Sequence, residues 1–301
     1  MSKSRKVVGF IGLGVMGEPM CRHLAKKADA TVVAYDISAA ALQRLAADGA
    51  KTAPSIASIG TDADIVFMSL PSGDIVSEVV RGAKGLLSVA RRDQVIVDLG
   101  TSPVDLMRQL AKEFAEKGVH FLDSPVMRTR SAAIAGTLFT AVGGDRQIFE
   151  EVRPLLSTFA SDITYCGGVG CGQIVKILNN MVLFESGVAL SEAYAIGSAA
   201  GMDPKLLFEA LSQGSCDSVA LRNQGLKSIV PRDFPAPAFS VIYASKDLRY
   251  ALELAEQTGV DATGARSVAE WFKRSVEAGD GDRHWTVISR QMIGKGAGKS
   301  A

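Results

Sequence analysis

The clearest indication of fold lies near the start of the chain, in Val7-Val8-Gly9-Phe10-Ile11-Gly12-Leu13-Gly14-Val15-Met16-Gly17. The first five residues form an apolar run that predicts a buried parallel strand, and a G-x-G-x-x-G turn follows directly. A helix is predicted next, as far as Lys27, and then a strand, Thr31-Val32-Val33-Ala34-Tyr35-Asp36, that ends in an acid. Strand, glycine turn, helix and a following acid together form the pattern of a dinucleotide-binding unit.

The glycine turn supplies the first predicted cofactor contacts. Glycines let the backbone approach a pyrophosphate, and the N-terminus of the following helix stabilises its negative charge. A tight turn with no ligand is the alternative interpretation. We assign cofactor binding to the whole turn: Gly12, Leu13, Gly14, Val15, Met16 and Gly17.

Asp36 bears on the choice between NAD and NADP. A carboxylate at this strand end can accept hydrogen bonds from both ribose hydroxyls of NAD, and it repels the additional phosphate of NADP. Ile37 and Ser38 follow, so no arginine stands directly after the acid to hold that phosphate. NAD is therefore the predicted cofactor and NADP is less favoured, with Arg44 as the residue that argues against this preference.

Alternating strands and helices continue through the first half of the chain. Further strands are predicted at 64–70, 94–99, 119–122, 137–142 and 162–165, with helices between them. Ligands of open parallel sheets bind beyond the carboxyl ends of the strands. Leu70, Pro71 and Thr101 follow two such ends and are predicted cofactor contacts. Ser102 is predicted to cap the next helix, with Pro103 at its first position.

A second glycine-rich turn, at 168–172, opens a long apolar helix that carries Gln173, Lys176 and Asn180. Residues three and four apart share a helix face, so these three side chains project together. A helix that is apolar nearly all round is buried, and buried polar groups need partners or a wet cleft. A lysine that extends from the helix start to the surface is the alternative interpretation.

Beyond residue 168 the pattern is almost entirely helical. We predict an α/β Rossmann domain over 1–167 and an all-α domain over 168–301, joined by the long helix, with a frayed tail at 294–301. Before the boundary, Asp123-Ser124-Pro125-Val126 leads into Met127-Arg128-Thr129-Arg130. This second segment is interpreted either as an exposed charged loop or as an anion-binding loop near the cofactor.

Composition favours a globular chain and excludes several classes of protein. The chain has 301 residues, of which 47% are hydrophobic and 22% charged, and two domains are expected at this length. A net charge of +1 gives no electrostatic basis for binding nucleic acid or a membrane surface. The four cysteines lack the spacing of a metal site, so reduced thiols and no metal are expected. The apolar run after the basic N-terminus is too short for a secretion signal, which favours a cytoplasmic location.

Four motifs in order resemble the β-hydroxyacid dehydrogenase family, the group of 3-hydroxyisobutyrate dehydrogenase and tartronate semialdehyde reductase. The motifs are Gly9-Phe10-Ile11-Gly12-Leu13-Gly14-Val15-Met16-Gly17-Glu18-Pro19-Met20, Asp123-Ser124-Pro125-Val126 with Gly136-Thr137-Leu138, Gly170-Cys171-Gly172-Gln173 through Lys176 to Asn180, and Lys246-Asp247-Leu248. The resemblance implies a Rossmann domain followed by a helical domain, and a homodimer or homotetramer.

The resemblance also implies a reaction. An aldehyde carbon accepts hydride from NADH while Lys176 protonates the carbonyl oxygen, and Lys176 acts as the base in the reverse direction. Asn180 orients the substrate oxygen or the lysine, Gln173 belongs to the substrate site, and Lys246 belongs to the cofactor site. Imine reduction and a non-catalytic dinucleotide-binding protein are the alternatives, and retention of Lys176 argues against both.

One segment departs from the family pattern. The family usually has Ser-Gly-Gly after Asp-x-Pro-Val, whereas this chain has Met127-Arg128-Thr129. An Arg-Thr pair here resembles the 3-sulfolactaldehyde reductase branch, which has Gly-Arg-Thr. We therefore predict that Arg128 and Thr129 bind the anionic end of a short aldehyde, carboxylate or sulfonate, with Arg130 outside that site. The activity of 3-hydroxyisobutyrate dehydrogenase or tartronate semialdehyde reductase is the alternative.

Overall fold

The computed structural model describes residues 6–236 and 239–292. It divides into two compact units, Met1–Lys176 and Ile177–Ala301. The division falls inside the long helix, between Lys176 and Ile177, whereas the sequence placed the domain boundary just before that helix, at 167/168. The tail predicted to fray, 294–301, lies outside the described residues.

A single nine-stranded sheet forms the centre of the first unit, within the residues described. The strands are β1 (Val7–Ile11), β2 (Thr31–Tyr35), β3 (Lys51–Thr52), β4 (Ile65–Met68), β5 (Val95–Asp98), β6 (His120–Asp123), β7 (Val126–Met127), β8 (Leu138–Gly143) and β9 (Ala160–Gly167). Strands in the order β3-β2-β1-β4-β5-β6 are all parallel, as in a doubly wound dinucleotide-binding sheet. Strand β8 then pairs antiparallel with β6 and β7, and β9 pairs parallel with β8.

Helices cover both faces of this sheet because its central strands are apolar on both sides. Phe10 and Phe67 belong to one buried cluster, and Ile11 and Met68, their neighbours in the strands, belong to the other. The helices are α1 (Gly17–Lys27), α2 (Ala39–Ala46), α3 (Ile56–Asp62), α4 (Gly73–Arg81), α5 (Leu86–Val89), α6 (Val104–Ala115), α7 (Arg130–Ala135) and α8 (Arg146–Leu156). The long helix α9 (Cys171–Ala199) begins in this unit.

The second unit is helical, as predicted. After α9 it contains α10 (Pro204–Leu211), a π-helix (Leu221–Ile229), α11 (Val241–Thr258), α12 (Thr263–Glu277), a 3-10 helix (Trp285–Ile288) and α13 (Ser289–Met292). Its core is aromatic: the ring of Phe184 packs edge-on against Phe272 at 5.3 Å and against Trp285 at 5.1 Å between centroids. Edge-to-face contacts of this kind add to the free energy gained by burying the rings.

Helix α9 is long and apolar enough, by length and composition alone, to cross a membrane. The core helix of a soluble protein has the same properties, and Ile177 and Phe184 are fully buried in this helix. These properties are therefore weak evidence for a membrane span.

The structure confirms the fold class predicted from the sequence. The seven strands that the apolar runs indicated are all present. Strands β3 and β7 were not predicted, because a strand of two residues has no detectable pattern. Within the region predicted to be helical, Leu221–Ile229 forms a π-helix, and Val230 N donates to Gly225 O at its end. All four cysteines are free thiols.

Candidate active site

The glycine turn between β1 and α1 packs so closely that two of its three glycines have no room for a side chain. Gly12 has a φ of +94°, and an added Cβ there would lie 2.3 Å from Ser69 O. A Cβ on Gly17 would lie 2.0 Å from Gly12 O, so the turn and helix pack without room for a side chain. Beside Gly14 there is no atom within 4 Å of such a Cβ. Two glycines therefore close the turn, and the third leaves open space where a pyrophosphate can meet the backbone.

Asp36 joins the end of β2 to this turn. Its Oδ2 accepts a hydrogen bond from Leu13 N at 2.5 Å, and its Oδ1 accepts one from Ser38 N at 2.7 Å. Each carboxylate oxygen keeps a lone pair for a further donor, such as a ribose hydroxyl. A cavity of about 540 Å³ opens beside the carboxylate, and the turn residues Leu13, Gly14 and Val15 form part of its wall. The arrangement fits the adenosine half of a dinucleotide.

The predicted contacts Leu70, Pro71 and Thr101 lie where they were expected, just beyond the carboxyl ends of β4 and β5. The last residues of β5 and β6 are acids. Asp98 ends β5 and Asp123 ends β6, the two are paired in register, and both are fully buried.

Asp123 binds the start of helix α9. Its Oδ1 accepts a hydrogen bond from Gly170 N at 2.7 Å, and its Oδ2 accepts one from Gln173 N at 2.8 Å. Burial raises the pKa of this carboxyl group, while the backbone donors around it favour the charged form. The carboxylate therefore satisfies N–H groups at the helix N-terminus that have no partner within the helix.

The side chain of Gln173 ties the first turn of α9 to the end of β5. Its Oε1 accepts from Ser102 N at 3.1 Å, and its Nε2 donates to Gly100 O at 2.8 Å and to Asp98 Oδ2 at 3.3 Å. Gln173 is fully buried. Lys176, half-buried, follows three residues later on the same helix. The network thus fixes the turn from which Lys176 extends, at the carboxyl edge of the sheet.

In the second unit, Asn180 is held by Asp247. Asn180 Nδ2 donates to Asp247 Oδ2 at 2.7 Å, and both side chains are almost entirely buried. The other oxygen of Asp247 lies 3.1 Å from Lys246 Nζ. The ammonium group also lies 4.7 Å from the ring centroid of Tyr243 and 5.4 Å from that of Tyr250. Lys246 is therefore surrounded by one carboxylate and two aromatic rings.

Arg128 and Thr129 form a sharp bend between β7, which ends at Met127, and α7. Arg128 has a φ of +82°, a conformation that favours glycine. Its guanidinium donates to Thr137 O at 2.7 Å and lies 2.8 Å from Asp162 Oδ2. Thr129 caps α7 through its hydroxyl group, which accepts from Ala132 N at 3.4 Å.

Comparison with known proteins agrees with this geometry. A family model described as the NAD binding domain of 6-phosphogluconate dehydrogenase matches residues 7–168, and one described as "NAD-binding of NADP-dependent 3-hydroxyisobutyrate dehydrogenase" matches residues 170–291. The 2-(hydroxymethyl)glutarate dehydrogenase of Eubacterium barkeri is 37% identical over 98% of both chains. The chain belongs to the β-hydroxyacid dehydrogenase family.

Solved structures agree with this assignment. The Mycobacterium tuberculosis 3-hydroxyisobutyrate dehydrogenase, solved with L-serine, is 27% identical with a TM-score of 0.87, over 96% of this chain and 99% of that one. Psf3, solved with NADP+ and 2-OPP, is 25% identical with a TM-score of 0.83, over 95% and 99%. This β-hydroxyacid dehydrogenase is therefore an enzyme that binds a nicotinamide dinucleotide, and the matches leave NAD or NADP open.

The buried amide of Gln173 bonds to Ser102 N, Gly100 O and Asp98 Oδ2 and so positions the start of α9. Its contact with substrate stays a prediction. One sequence-based expectation needs correction in this β-hydroxyacid dehydrogenase. Ser102 was expected to cap α6, but its hydroxyl donates to Asp98 Oδ2 at 3.0 Å and Pro103 occupies the N-cap. Lys246 and Asp247, neighbours in the fourth motif, pair with each other.

Three parts of the site were not anticipated. Asp98 and Asp123 are buried and bond to the first turn of α9, and the signal that identifies them is an acid at the last position of two successive apolar strands. Glu18, in the first turn of α1, binds Arg44 in the wall of the cavity next to Asp36. Arg130, expected outside the substrate site, lines the same cavity. Spacing along the chain gives no indication of the last two contacts.

Proposed function

We propose that this enzyme uses NAD(H) to interconvert a short anionic aldehyde and its hydroxy acid or hydroxysulfonate, with Lys176 as general acid and base. The observation that supports the proposal is the buried bridge through Gln173. It anchors the turn preceding Lys176 to the ends of β5 and β6, and open α/β sheets bind ligands beyond such strand ends. A lysine that only extended to the surface would not require a buried hydrogen-bond network in the helical turn that precedes it.

The chain's own residues account for the proton in this reaction. When bound, the dinucleotide supplies or accepts the hydride at the carbonyl carbon. During reduction, the proton on Lys176 Nζ moves to the carbonyl oxygen as the alcohol forms; during oxidation, Lys176 Nζ removes that proton. Asn180 is held in one orientation by Asp247, so we assign it the role of orienting the substrate oxygen. Lys246 is proposed as a cofactor contact from its place in the fourth family motif alone.

Asp36 supports the preference for NAD. Two backbone N–H groups fix its carboxylate at the end of β2, where it faces the cavity beside the glycine turn. A fixed negative charge at this point accepts hydrogen bonds from ribose hydroxyls and repels a phosphate on the same ribose. Psf3, the relative solved with NADP+, is 25% identical to this chain. We therefore infer the NAD preference from Asp36 of this chain and not from that structure.

An anionic substrate is favoured by the relatives and by the segment at 127–129. The Eubacterium barkeri relative is named for 2-(hydroxymethyl)glutarate, whose oxidation at the hydroxymethyl group gives an anionic aldehyde. The M. tuberculosis structure holds L-serine, a hydroxylated amino acid with a carboxylate. The sulfonate of 3-sulfolactaldehyde is favoured only by the Arg128-Thr129 pair. Activity toward 3-hydroxyisobutyrate is the second candidate, supported by the family model that matches residues 170–291. Reduction of tartronate semialdehyde is the other form of this candidate, and it rests on the motif resemblance.

A substrate panel followed by NADH absorbance tests the proposal. The panel contains succinate semialdehyde, tartronate semialdehyde, methylmalonate semialdehyde and 3-sulfolactaldehyde, with 2-(hydroxymethyl)glutarate and NAD in the oxidation direction. Neutral aldehydes of the same length are the control. We expect kcat/KM to be highest for one anionic substrate. Equal turnover of neutral and anionic aldehydes, or reduction of imines alone, would contradict the proposal.

The setting of the enzyme belongs to the same proposal. We place it in the cytoplasm, as a homodimer or homotetramer whose partner is a small anionic substrate, with no nucleic acid and no membrane. Light scattering coupled to gel filtration measures the mass of the assembly, and a monomer at micromolar concentration would contradict the oligomeric part.

A further inference from the structure

Two arginines and a glutamate lie together beside Asp36, in the same cavity. Glu18, in the first turn of α1, accepts from Arg44 through both carboxylate oxygens, with distances of 3.1 and 3.2 Å to Nε and 2.7 Å to Nη2. The same carboxylate accepts from Arg22 Nη2 at 3.0 Å. Two-point contact of this kind restricts the direction of the guanidinium group of Arg44.

These residues line the wall of the cavity that contains Asp36. Glu18, Arg22, Asp36, Ser38 and Arg44 all contribute to it, next to the glycine turn. The hydrogen bond and charge of Glu18 raise the pKa of Arg44, and the negative charge of Asp36 raises it further by a smaller amount. A phosphate on the 2′-oxygen of the ribose would enter this part of the cavity, where an arginine is the usual ligand in NADP enzymes.

The carboxylate of Glu18 decides whether that arginine is available. The side chain of Glu18 is only 17% exposed, whereas that of Arg44 is 54% exposed. The more exposed side chain is therefore held by the more buried one. Arg22 has a second carboxylate, Asp48, so removal of Glu18 would release Arg44 more completely than Arg22.

We propose that Glu18 is a positioning residue for cofactor specificity: it holds Arg44 away from the 2′-phosphate site and adds a second negative charge beside Asp36. The inference rests on the NAD preference proposed above and gives it a second determinant. The absence of an arginine directly after Asp36 is therefore only part of the explanation for the NAD preference. Arg44 does line the cavity, and its ion pair with Glu18 keeps it from binding a 2′-phosphate.

Ligand binding without catalysis tests this inference. Calorimetry gives the Kd of adenosine 2′,5′-bisphosphate and of 5′-AMP for the wild-type enzyme, Glu18→Gln, Glu18→Asp and Glu18→Gln/Arg44→Ala. Glu18→Gln should tighten the bisphosphate about tenfold, because one charge-assisted contact is gained, and 5′-AMP less than about twofold. Glu18→Asp keeps the charge and should stay near wild type. The added Arg44→Ala change should abolish the gain.

Two controls keep the outcome interpretable. Glu113→Gln removes the carboxylate that pairs with Arg81, a contact of the same kind outside the cavity, and should change neither Kd. Arg44→Ala alone, in an otherwise wild-type chain, should leave bisphosphate binding within about twofold, because Glu18 already withholds the guanidinium. In Glu18→Gln, KM for NADPH should fall while kcat with NADPH stays constant.

Equal tightening of both ligands in Glu18→Gln would show a general charge effect and overturn the inference. Weaker bisphosphate binding in Arg44→Ala alone would also overturn it, since Arg44 would then already contact the phosphate. Failure of the proposed function gives a different result: wild-type enzyme that uses NADH and NADPH equally contradicts the NAD preference, whatever the variants bind.

Discussion

Asn180 Nδ2 donates a hydrogen bond of 2.7 Å to Asp247 Oδ2, deep within the helical unit. This contact joins two sequence motifs that lie 67 residues apart, one on α9 and one on α11. Asn179 Nδ2 in turn donates to Asn180 Oδ1 at 3.1 Å. With donor and acceptor both engaged, the amide of Asn180 has one favoured orientation, which an orienting group in an active site requires.

Removal of the Asp247 carboxylate should destabilise the helical unit. In Asp247→Ala the amide of Asn180 loses its acceptor and Lys246 loses its counterion, and breaking a buried pair in this way costs about 3 kcal/mol of unfolding free energy. Asp247→Asn keeps an acceptor and should cost less. Urea unfolding followed by tryptophan fluorescence measures the change, because both tryptophans, Trp271 and Trp285, lie in this unit.

The matched control is on the same helix. Glu253 pairs with Arg249 on the surface of α11, where its side chain is 38% exposed. Glu253→Ala should therefore cost less than about 1 kcal/mol. A similar loss of stability in Asp247→Ala and Glu253→Ala would show that the buried contact adds no more to the unfolding free energy than the exposed pair.

The sequence was sufficient for the fold because its signals are local. A buried parallel strand is a short apolar run, and the turn between Ile11 and Gly17 has glycine at Gly12 and Gly17, where an added Cβ would lie 2.3 Å and 2.0 Å from a backbone oxygen. Neither signal depends on distant residues. The bridge from Asp98 and Asp123 to Gln173 is different in kind, because its partners are 50 to 75 residues apart. Only the sheet register brings the two acids together.

Lys176→Ala should lower kcat by roughly a hundredfold or more, the usual scale of general acid catalysis. NADH should still bind, because the glycine turn and Asp36 are unchanged, and a fluorescence titration of NADH measures this. Lys205→Ala removes a lysine from an exposed pair with Glu209 and is the control for loss of a positive charge. A variant at position 176 with near wild-type kcat would return this lysine to a structural role.

NADH should exceed NADPH in kcat/KM by at least about tenfold, or 1.4 kcal/mol, in the wild-type enzyme. Asp36→Asn is the informative variant, since the amide oxygen can still accept from a backbone N–H group while the negative charge is removed. The ratio should fall by about tenfold in this variant. An unchanged ratio would mean that the charge of Asp36 does not discriminate between the cofactors.

His284 should make the helical unit sensitive to acid. Burial lowers its pKa from 6.5 to about 4 in the folded chain, while its Nδ1 lies 2.7 Å from Thr286 Oγ1. The unfolded chain therefore binds more protons between these values, and the unfolding free energy falls as the pH drops from 6.5 towards 4. The fall attributable to this group approaches about 3 kcal/mol. His284→Asn lacks the titration and should show a shallower slope of stability against pH in the same fluorescence assay; equal slopes would contradict the assignment.

Arg128 is where sequence and structure lead to different expectations. The residue occupies a glycine position of the family motif, and its φ of +82° shows why glycine is usual there. Its guanidinium is bound to Asp162, whereas the sequence led us to expect it on the substrate. The pair is exposed, with 45% and 56% of the two side chains accessible, so solvent screening makes this ion pair weak. An anionic substrate can therefore compete with Asp162 for Arg128.

Competition between Asp162 and the anionic end of a substrate for Arg128 can be measured. If Arg128 binds the anionic end of the substrate, Arg128→Ala should lower kcat/KM about ten- to a hundredfold for an anionic aldehyde and little for a neutral one of equal length. Asp162→Asn should lower KM for the anionic aldehyde, because the competing carboxylate is gone. Arg130 lines the dinucleotide cavity, so Arg130→Ala should raise KM for NADH with both aldehydes. If Arg128→Ala slows both aldehydes equally or slows neither, and Asp162→Asn has no effect, Arg128 serves only to hold the bend between β7 and α7.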